Sequence, residues 1–496
     1  MFSEANVKYL KRITLIAFAL LLVIPSVLSA QWESDYRLTT NSDSSFTSYN
    51  NAWCVAAHAD TVHVAWYDNR DGNYEIYYKC SSDGGTTWGS DTRITNEPSP
   101  SYNPSIAFTG PSVHVVWEDE RNQDIDVYHK CSTDGGITWG PDILVTDVSG
   151  PQGMPSVAVV TGCVHVAWAD FTLIGNTEIY YGRSTDGGTT WQAPVQMSYA
   201  PMFSVYPSIA AHESNVHVAW QDSRLGWWNN EIFYRRSTDG GVNWGGEQQL
   251  TSDTTFSNTP SIAVSGNNVH VTWEDRRDDN FEIYYKNSTD NGETWSSDFR
   301  LTNDAGDSHY PSAAASGSNL HITWQDNRDG NEEIYYKVSN DYGMSWDPDV
   351  RLTDDQSVSQ NASIAVSGEK VHVVWTDDRD GNWEVYYKRN PTGNPGIAES
   401  HYSHQTAFSL VASPNPFSEL TTLSFGMGHN AARVTLKIYD ATGRAVRQWD
   451  YPTIGLSDHV SWDGTDQDNH KLGSGVYFMK CTNGDCIATE KLLLIR

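Results

Sequence analysis

The sequence carries no long helical pattern, and past its first 30 residues it has no apolar run long enough to span a bilayer. Cations are scarce: 32 Lys and Arg stand against 62 Asp and Glu, a formal net charge of −30. A surface so acidic repels phosphate backbones, which excludes nucleic acid as a partner, and it disfavours anionic lipid. Cysteine is also sparse, six in 496 residues, so disulfides are permitted but not required. Cys481 and Cys486 bracket a hairpin-turn composition and are expected to face each other across two strands. Cys80 and Cys131 hold equivalent places, and Cys54 and Cys163 have no evident partner. What the chain does have is aromatic side chains, 20 Trp and 26 Tyr, in short Val/Ile/Tyr/Trp runs between Gly, Asn, Asp and Ser clusters. That pattern predicts an all-β protein.

The N-terminus carries Lys8, Lys11 and Arg12, an apolar run from Ile13 to Ile24, then small residues at Ser26, Ser29 and Ala30. Residues 1–30 are read as a secretory signal peptide whose removal leaves no membrane span, and no cysteine follows it for lipid attachment.

The rest of the chain to residue 390 repeats one phrase. Its tryptophan recurs at Trp66, Trp117, Trp168, Trp220, Trp273, Trp324 and Trp375, a spacing that marks a propeller or array. Each copy holds four strand-like pieces with a hairpin turn at Asp71-Gly72 or its equivalent. The fourth piece occurs first as Arg37-Leu38-Thr39, before any complete copy, and the last copy ends after its third piece. The stray strand is therefore expected to complete the last blade and close a seven-bladed ring, which removes two sheet edges. Six blades plus an odd unit is the alternative.

The turn between third and fourth strands reads Ser81-x-Asp83-x-Gly85-x-Thr87-Trp88. Its Asp and Trp recur as Asp134 and Trp139, Asp186 and Trp191, Asp239 and Trp244, Asp290 and Trp295, Asp341 and Trp346. A short carboxylate can take its own loop's amides while glycine relieves the backbone and tryptophan plugs the layer below. The seventh box falls at the chain break. The pattern resembles the Asp-box, or bacterial neuraminidase repeat, of the sialidase superfamily.

After a linker over 391–410, rich in Pro, Gly, Ser and His, residues 411–496 show alternating strands with turn glycines around Pro414-Asn415-Pro416-Phe417, Trp462-Asp463-Gly464 and Gly473-Ser474-Gly475. This predicts a small Ig-like β-sandwich. The module resembles the type A C-terminal sorting domain of the type IX secretion system, related to the Ig-like module of flagellar hook-capping proteins. That resemblance implies the type IX machinery as a partner and a product released from, or attached to, the outer surface of a Gram-negative-type bacterium.

The sialidase resemblance implies an arginine triad, a Tyr–Glu nucleophile pair, an acid–base Asp and an Arg-Ile-Pro motif. That motif is missing, and Tyr36-Arg37-Leu38-Thr39 is a poor substitute. Arg70, Arg121, Arg224, Arg277, Arg328 and Arg379 all occupy one repeat position, as do Asp68 and its equivalents. Catalysis needs unlike groups in unlike places, so these are read as scaffold, with Asp68, Arg70 and Glu75 pairing inside their own hairpin. The repeated His63, His114, His165, His217, His270, His321 and His372 lie one per blade and cannot converge on a metal. They are read as satisfied core groups, and no catalytic residue, metal or cofactor is expected.

Function is sought where copies disagree. Blade three replaces the hairpin with Phe171-Thr172-Leu173-Ile174-Gly175, blade four lengthens it to Arg224-Leu225-Gly226-Trp227-Trp228-Asn229, and their connection carries Phe203 and Tyr206. Phe171, Phe203, Tyr206, Arg224, Trp227 and Trp228 are therefore the candidate ligand-binding set, fit for an extracellular glycan or protein. A sialidase-like exo-glycoside hydrolase is the alternative.

Overall fold

The computed structural model describes residues 32–393 apart from 50–52, 147–148, 161 and 173–174, and residues 410–496 apart from 414, 426–432, 441–443, 453–458 and 484–485. The segment read as a signal peptide and most of the linker lie outside the described residues. No helix among the described residues is long and apolar enough to cross a membrane. Two compact units are formed.

The first unit is seven antiparallel sheets, each with four ranks of strands. In the second blade the ranks run Ser101–Thr109, Ser112–Asp119, Asp126–Ser132 and Ile143–Leu144, from the central channel outward. The alternation of the second strand puts Val113, Val115 and Trp117 into one interblade core. The seven repeat tryptophans are all buried, each worth roughly 2–3 kcal/mol by area.

The N-terminal strand closes the ring. Tyr36–Arg37 pairs with Glu384–Asn390 as the outermost strand of the seventh blade. Arg37 Nη2 donates to Glu384 at 2.5 Å, Thr39 Oγ1 bonds the same carboxylate, and Asp35 bridges Arg379 and Lys388 at 2.7 and 2.8 Å. Trp32 lies edge-on to Tyr336 at 4.8 Å. In the same way Trp88, Trp139, Trp244, Trp295 and Trp346 each cover the tyrosine of the preceding blade. Trp32 is thus the tryptophan of the seventh box, delivered from the other end of the chain.

In the six complete boxes the carboxylate closes its own turn. Asp83 Oδ1 accepts from Thr87 N at 2.8 Å and from Ser81 Oγ at 2.8 Å, and Oδ2 accepts from Thr87 Oγ1 at 2.6 Å. These bonds hold the acid down to about 2, led by the Thr87 hydroxyl. The box glycine is fixed twice over. Gly241 has φ +82°, and a methyl group there would lie 1.9 Å from Tyr181 Oη of the preceding blade. That tyrosine in turn bonds His165 Nδ1 at 2.6 Å, and the same His–Tyr bond recurs in five other blades. In the second blade His129 replaces the tyrosine and bonds His114 at 3.0 Å. The repeated histidines are therefore buried core groups, each bonded through Nδ1 to the aromatic ring of the neighbouring strand.

One expected pairing is corrected. Asp68 does bind Arg70, at 2.6 Å, but Glu75 does not pair with that arginine; it takes Arg93 and Thr95 on the outer rank, both at 2.5 Å, and Asn73 of the hairpin at 3.1 Å. The two-residue outer strand brings Arg93 and Thr95 alongside the third strand, and a buried carboxylate takes the nearest donors. Cys54, Cys80, Cys131 and Cys163 are free thiols.

The second unit is a sandwich. One sheet joins Leu410–Ser413, Thr421–Phe425 and His459–Trp462, and the other joins Arg433–Asp440, Ala445–Pro452, Gly475–Asn483 and Cys486–Leu494. Trp462, Leu423, Leu436, Met479 and Leu492 are among its core. The hairpin register sets Cys486 opposite Asn483 and Cys481 opposite Ala488. The register thus does not set the two cysteines opposite each other.

Candidate functional site

The hairpins between second and third strands and the connections between blades share one face of the propeller, and the boxes share the other. At the hairpin face the repeated Asp and Arg consume one another. Arg277 places Nε and Nη2 on Asp275 at 2.8 and 2.6 Å and Nη1 on Asp298 at 2.8 Å, with its plane 4.4 Å over Tyr284. Arg70, Arg121, Arg328 and Arg379 repeat this arrangement. Arg224 does so as well, gripped by Asp222 and Glu247 and stacked 4.0 Å over Phe233. Three hydrogen bonds and the ring stack tie it into its own blade in the way of the other repeat arginines, which sets it apart from the five aromatic candidates.

The other five candidates fall in three places. Phe203 and Trp227 pack edge to face at 5.1 Å, and Trp228 meets Phe256 at 6.1 Å. Trp227 and Trp228 remain 64% and 80% exposed, which is rare for rings of that size. Tyr206 stands at a bulge of the innermost strand with φ +53°. Phe171 lines a cavity of about 290 Å³ with Tyr49, Glu118, Ile125, Gln152 and Met154. Leu173 and Ile174 lie outside the described residues.

Tyr49 also belongs to a neighbouring cavity of about 380 Å³, lined by Phe46, Tyr67, Tyr74, Pro100, Tyr102, Asn103 and Glu120. Together the two cavities form an aromatic cleft over blades one to three. Their walls come from positions at which the seven copies differ residue by residue. The place after the repeat tryptophan reads Tyr67, Glu118, Ala169, Gln221, Glu274, Gln325 and Thr376. Its neighbour across the sheet reads Phe46, Tyr102, Gly153, Val205, Asn258, His309 and Gln360. The place before the third strand reads Tyr74, Ile125, Thr177, Asn230, Phe281, Glu332 and Trp383. Comparing copies column by column would have found this cleft, whereas attention to loop length alone finds only blades three and four.

The first blade adds an insertion. Val55 follows Ser45 by ten residues, where Ile106 follows Ser101 by five, although both pairs hold matching places against the second strand. The extra chain carries Tyr49 to the cleft. It also sends Trp53 into the central channel, where it packs against the core of the fourth and fifth blades. The channel is otherwise lined by alanine, valine, isoleucine and phenylalanine, a space of about 240 Å³ with no titratable side chain.

Glu118 is 3% exposed, and Met154 N at 2.7 Å and Asn103 Nδ2 at 3.0 Å donate to it. Burial pushes its carboxyl up to about 7 against the pull of those two donors. Glu120 accepts a 2.5 Å hydrogen bond from Tyr102 Oη, and burial followed by this carboxylate keeps the phenol protonated. On the opposite side of the mouth His309 bonds Glu274 at 3.0 Å, which outweighs the burial opposing its charge. A raised carboxyl is not by itself a sign of chemistry here. Glu231 is also pushed up to about 7, by burial and then by Asp253 and Asp275. Its blade has Gln249 where blades one, five, six and seven supply the outer arginine.

The family model for the FlgD Ig-like domain matches residues 415–485. The xyloglucanase Xgh74A of Acetivibrio thermocellus is 24% identical over 192 residues, 33% of this chain, and the match spans 22% of that protein's length. Among solved structures, a sialidase mutant of Trypanosoma rangeli with trans-sialidase activity is similar with a TM-score of 0.46 and 12% identity, over 78% of this chain and 82% of that one. The α-L-arabinofuranosidase Arb93A of Fusarium graminearum is similar at 0.43 and 16%, over 58% and 91%.

Proposed function

We propose that this protein is an extracellular, non-catalytic β-propeller that binds a glycan on its hairpin face. The observation that carries this reading is the distribution of aromatic rings. At the positions where the copies differ, rings gather on one face, while the repeated charges of that face are locked in pairs. Flat rings beside Asn, Gln and Glu suit the apolar faces and hydroxyl rims of sugars. The exposed Trp227 and Trp228 extend that surface. Replacing both with alanine should lower affinity for a bound oligosaccharide at least tenfold, read by isothermal titration, with no change in melting temperature. Unchanged affinity removes the pair from the site.

One observation favours the hydrolytic alternative, the placing of Glu118, whose carboxyl burial raises to about 7, in the same aromatic cleft as Glu120. No turnover of fluorogenic glycosides is the expected result. Turnover abolished by Glu118→Gln would install the hydrolase reading. A sialoside is the least suited substrate, since the six repeat arginines are paired within their blades.

Export completes the proposal. The C-terminal sandwich is proposed as the address read by a type IX secretion machinery. Deleting residues 411–496 should strand the protein in the periplasm, and undiminished secretion of the shortened chain would refute that role.

A further inference from the structure

We propose that the cleft between the first and second blades is a cation site that takes a small quaternary amine. Three of its rings form an interlocked wall. Phe46 stacks on Tyr67 at 5.3 Å with 22° between planes, and Tyr74 closes edge-on to Tyr67 at 5.5 Å and to Phe46 at 6.3 Å. Tyr49 and Tyr102 complete the enclosure, with Glu120 on its rim. Five rings, Pro100, Asn103 and one carboxylate line this space, and among the described residues no lysine, arginine or histidine lines it.

The charge balance selects the ligand. A ring face carries the negative end of its quadrupole, so several faces around one point attract a cation that water would otherwise hold. Burial and Glu120 keep Tyr102 protonated, while burial and then the nearby Glu118 push Tyr49 up to about 12, so both rings stay neutral at physiological pH. Glu120 supplies the countercharge, fixed in place by Tyr102. An anionic group would meet the Glu120 carboxylate and no cation to pair with. A neutral group would leave the carboxylate unused. The net charge of −30 adds long-range attraction for cations. A trimethylammonium head has no N–H to satisfy and presents only polarised methyls, which matches walls made of rings.

The cleft belongs to the ring cluster on which the glycan reading rests, but Trp227 and Trp228 do not line it, so choline binding and the effect of that exposed pair on glycan affinity are read separately. Choline is the probe, titrated into the mature chain by calorimetry beside its neutral isostere 3,3-dimethyl-1-butanol. Saturable choline binding at least tenfold tighter than the alcohol is expected, weakening as salt rises. Glu120→Gln should cost at least fivefold and Tyr67→Ala at least tenfold, while Trp227→Ala with Trp228→Ala leaves choline affinity unchanged. Equal affinity for the neutral isostere, no saturation up to 20 mM choline (about 20 mM being far above the range several ring contacts and a carboxylate should give), or wild-type affinity in the Glu120→Gln variant would each overturn the assignment.

Discussion

Lowering the pH from 7 to 4 is expected to unfold the propeller in one steep step. Eight histidines, His63, His114, His129, His165, His217, His270, His321 and His372, are at most 2% exposed. Burial holds every one of them down to about 3 or 4. A histidine whose folded pKa lies below its unfolded value of about 6.5 binds its proton more readily in the unfolded chain. Its contribution is complete above pH 6.5 and drains away as pH falls towards the folded pKa. A shift of two to three units amounts to about 3 kcal/mol per group, so eight together exceed the roughly 5–15 kcal/mol by which domains are stable. Glu118 and Glu231, pushed up to about 7 by burial, act the other way, since their protonation between pH 7 and 4.5 favours the folded form. Two such groups blunt the transition without cancelling it. Tryptophan fluorescence and circular dichroism against pH should give a midpoint near 5 with an uptake of several protons. A folded propeller at pH 3, or a slope of one proton, would refute the linkage.

Removing residues 31–39 is expected to prevent the propeller from folding. The deletion strips the seventh blade of its outer strand and leaves Glu384, 0% exposed, without Arg37 and Thr39. A buried carboxylate stripped of its partners costs several kcal/mol. It also uncovers Tyr336, exposes the edge of Glu384–Asn390 and frees Arg379 and Lys388 from Asp35. The milder Trp32→Ala should cost about 3 kcal/mol by the measure of buried aromatic truncations. Soluble, cooperative melting of the shortened chain at the parent temperature would show that the ring does not depend on its clasp.

The blade was legible because a repeat shows its scaffold seven times. Asp83, Gly85 and Trp88 could be assigned to a turn from spacing alone, and the stray Arg37-Leu38-Thr39 announced closure. Trp32 was not legible as the seventh box tryptophan. It stands apart from any Ser-x-Asp-x-Gly run, and the seventh blade's third strand ends in Asn390 and is followed by Thr392 where the other blades have the box serine and aspartate. The candidate site was half legible. Trp227 and Trp228 declared themselves through a lengthened loop, but Tyr67, Tyr102, Glu118 and Glu120 sit in hairpins and strands of ordinary length. Only the register, which sets Tyr102 against Glu118 and Phe46 against Tyr67, reveals that these substitutions share one face. The insertion carrying Tyr49 and Trp53 was hidden for a similar reason, lying between two recognisable strand ends. Arg224 misled because its local spelling is unusual, while its ion pairs to Asp222 and Glu247 follow the pattern of every other blade.

The central claim is that the repeated residues build the ring and the differing ones on the hairpin face bind the ligand. A glycan array probed with the protein and two variants tests it most directly. One variant carries Trp227→Ala and Trp228→Ala on the hairpin face. The other carries Ile137→Ser and Met344→Ser, which are 80% and 76% exposed on the box face. Oligosaccharide binding lost in the first and kept in the second is the predicted result. Binding kept in the first and lost in the second would contradict the account.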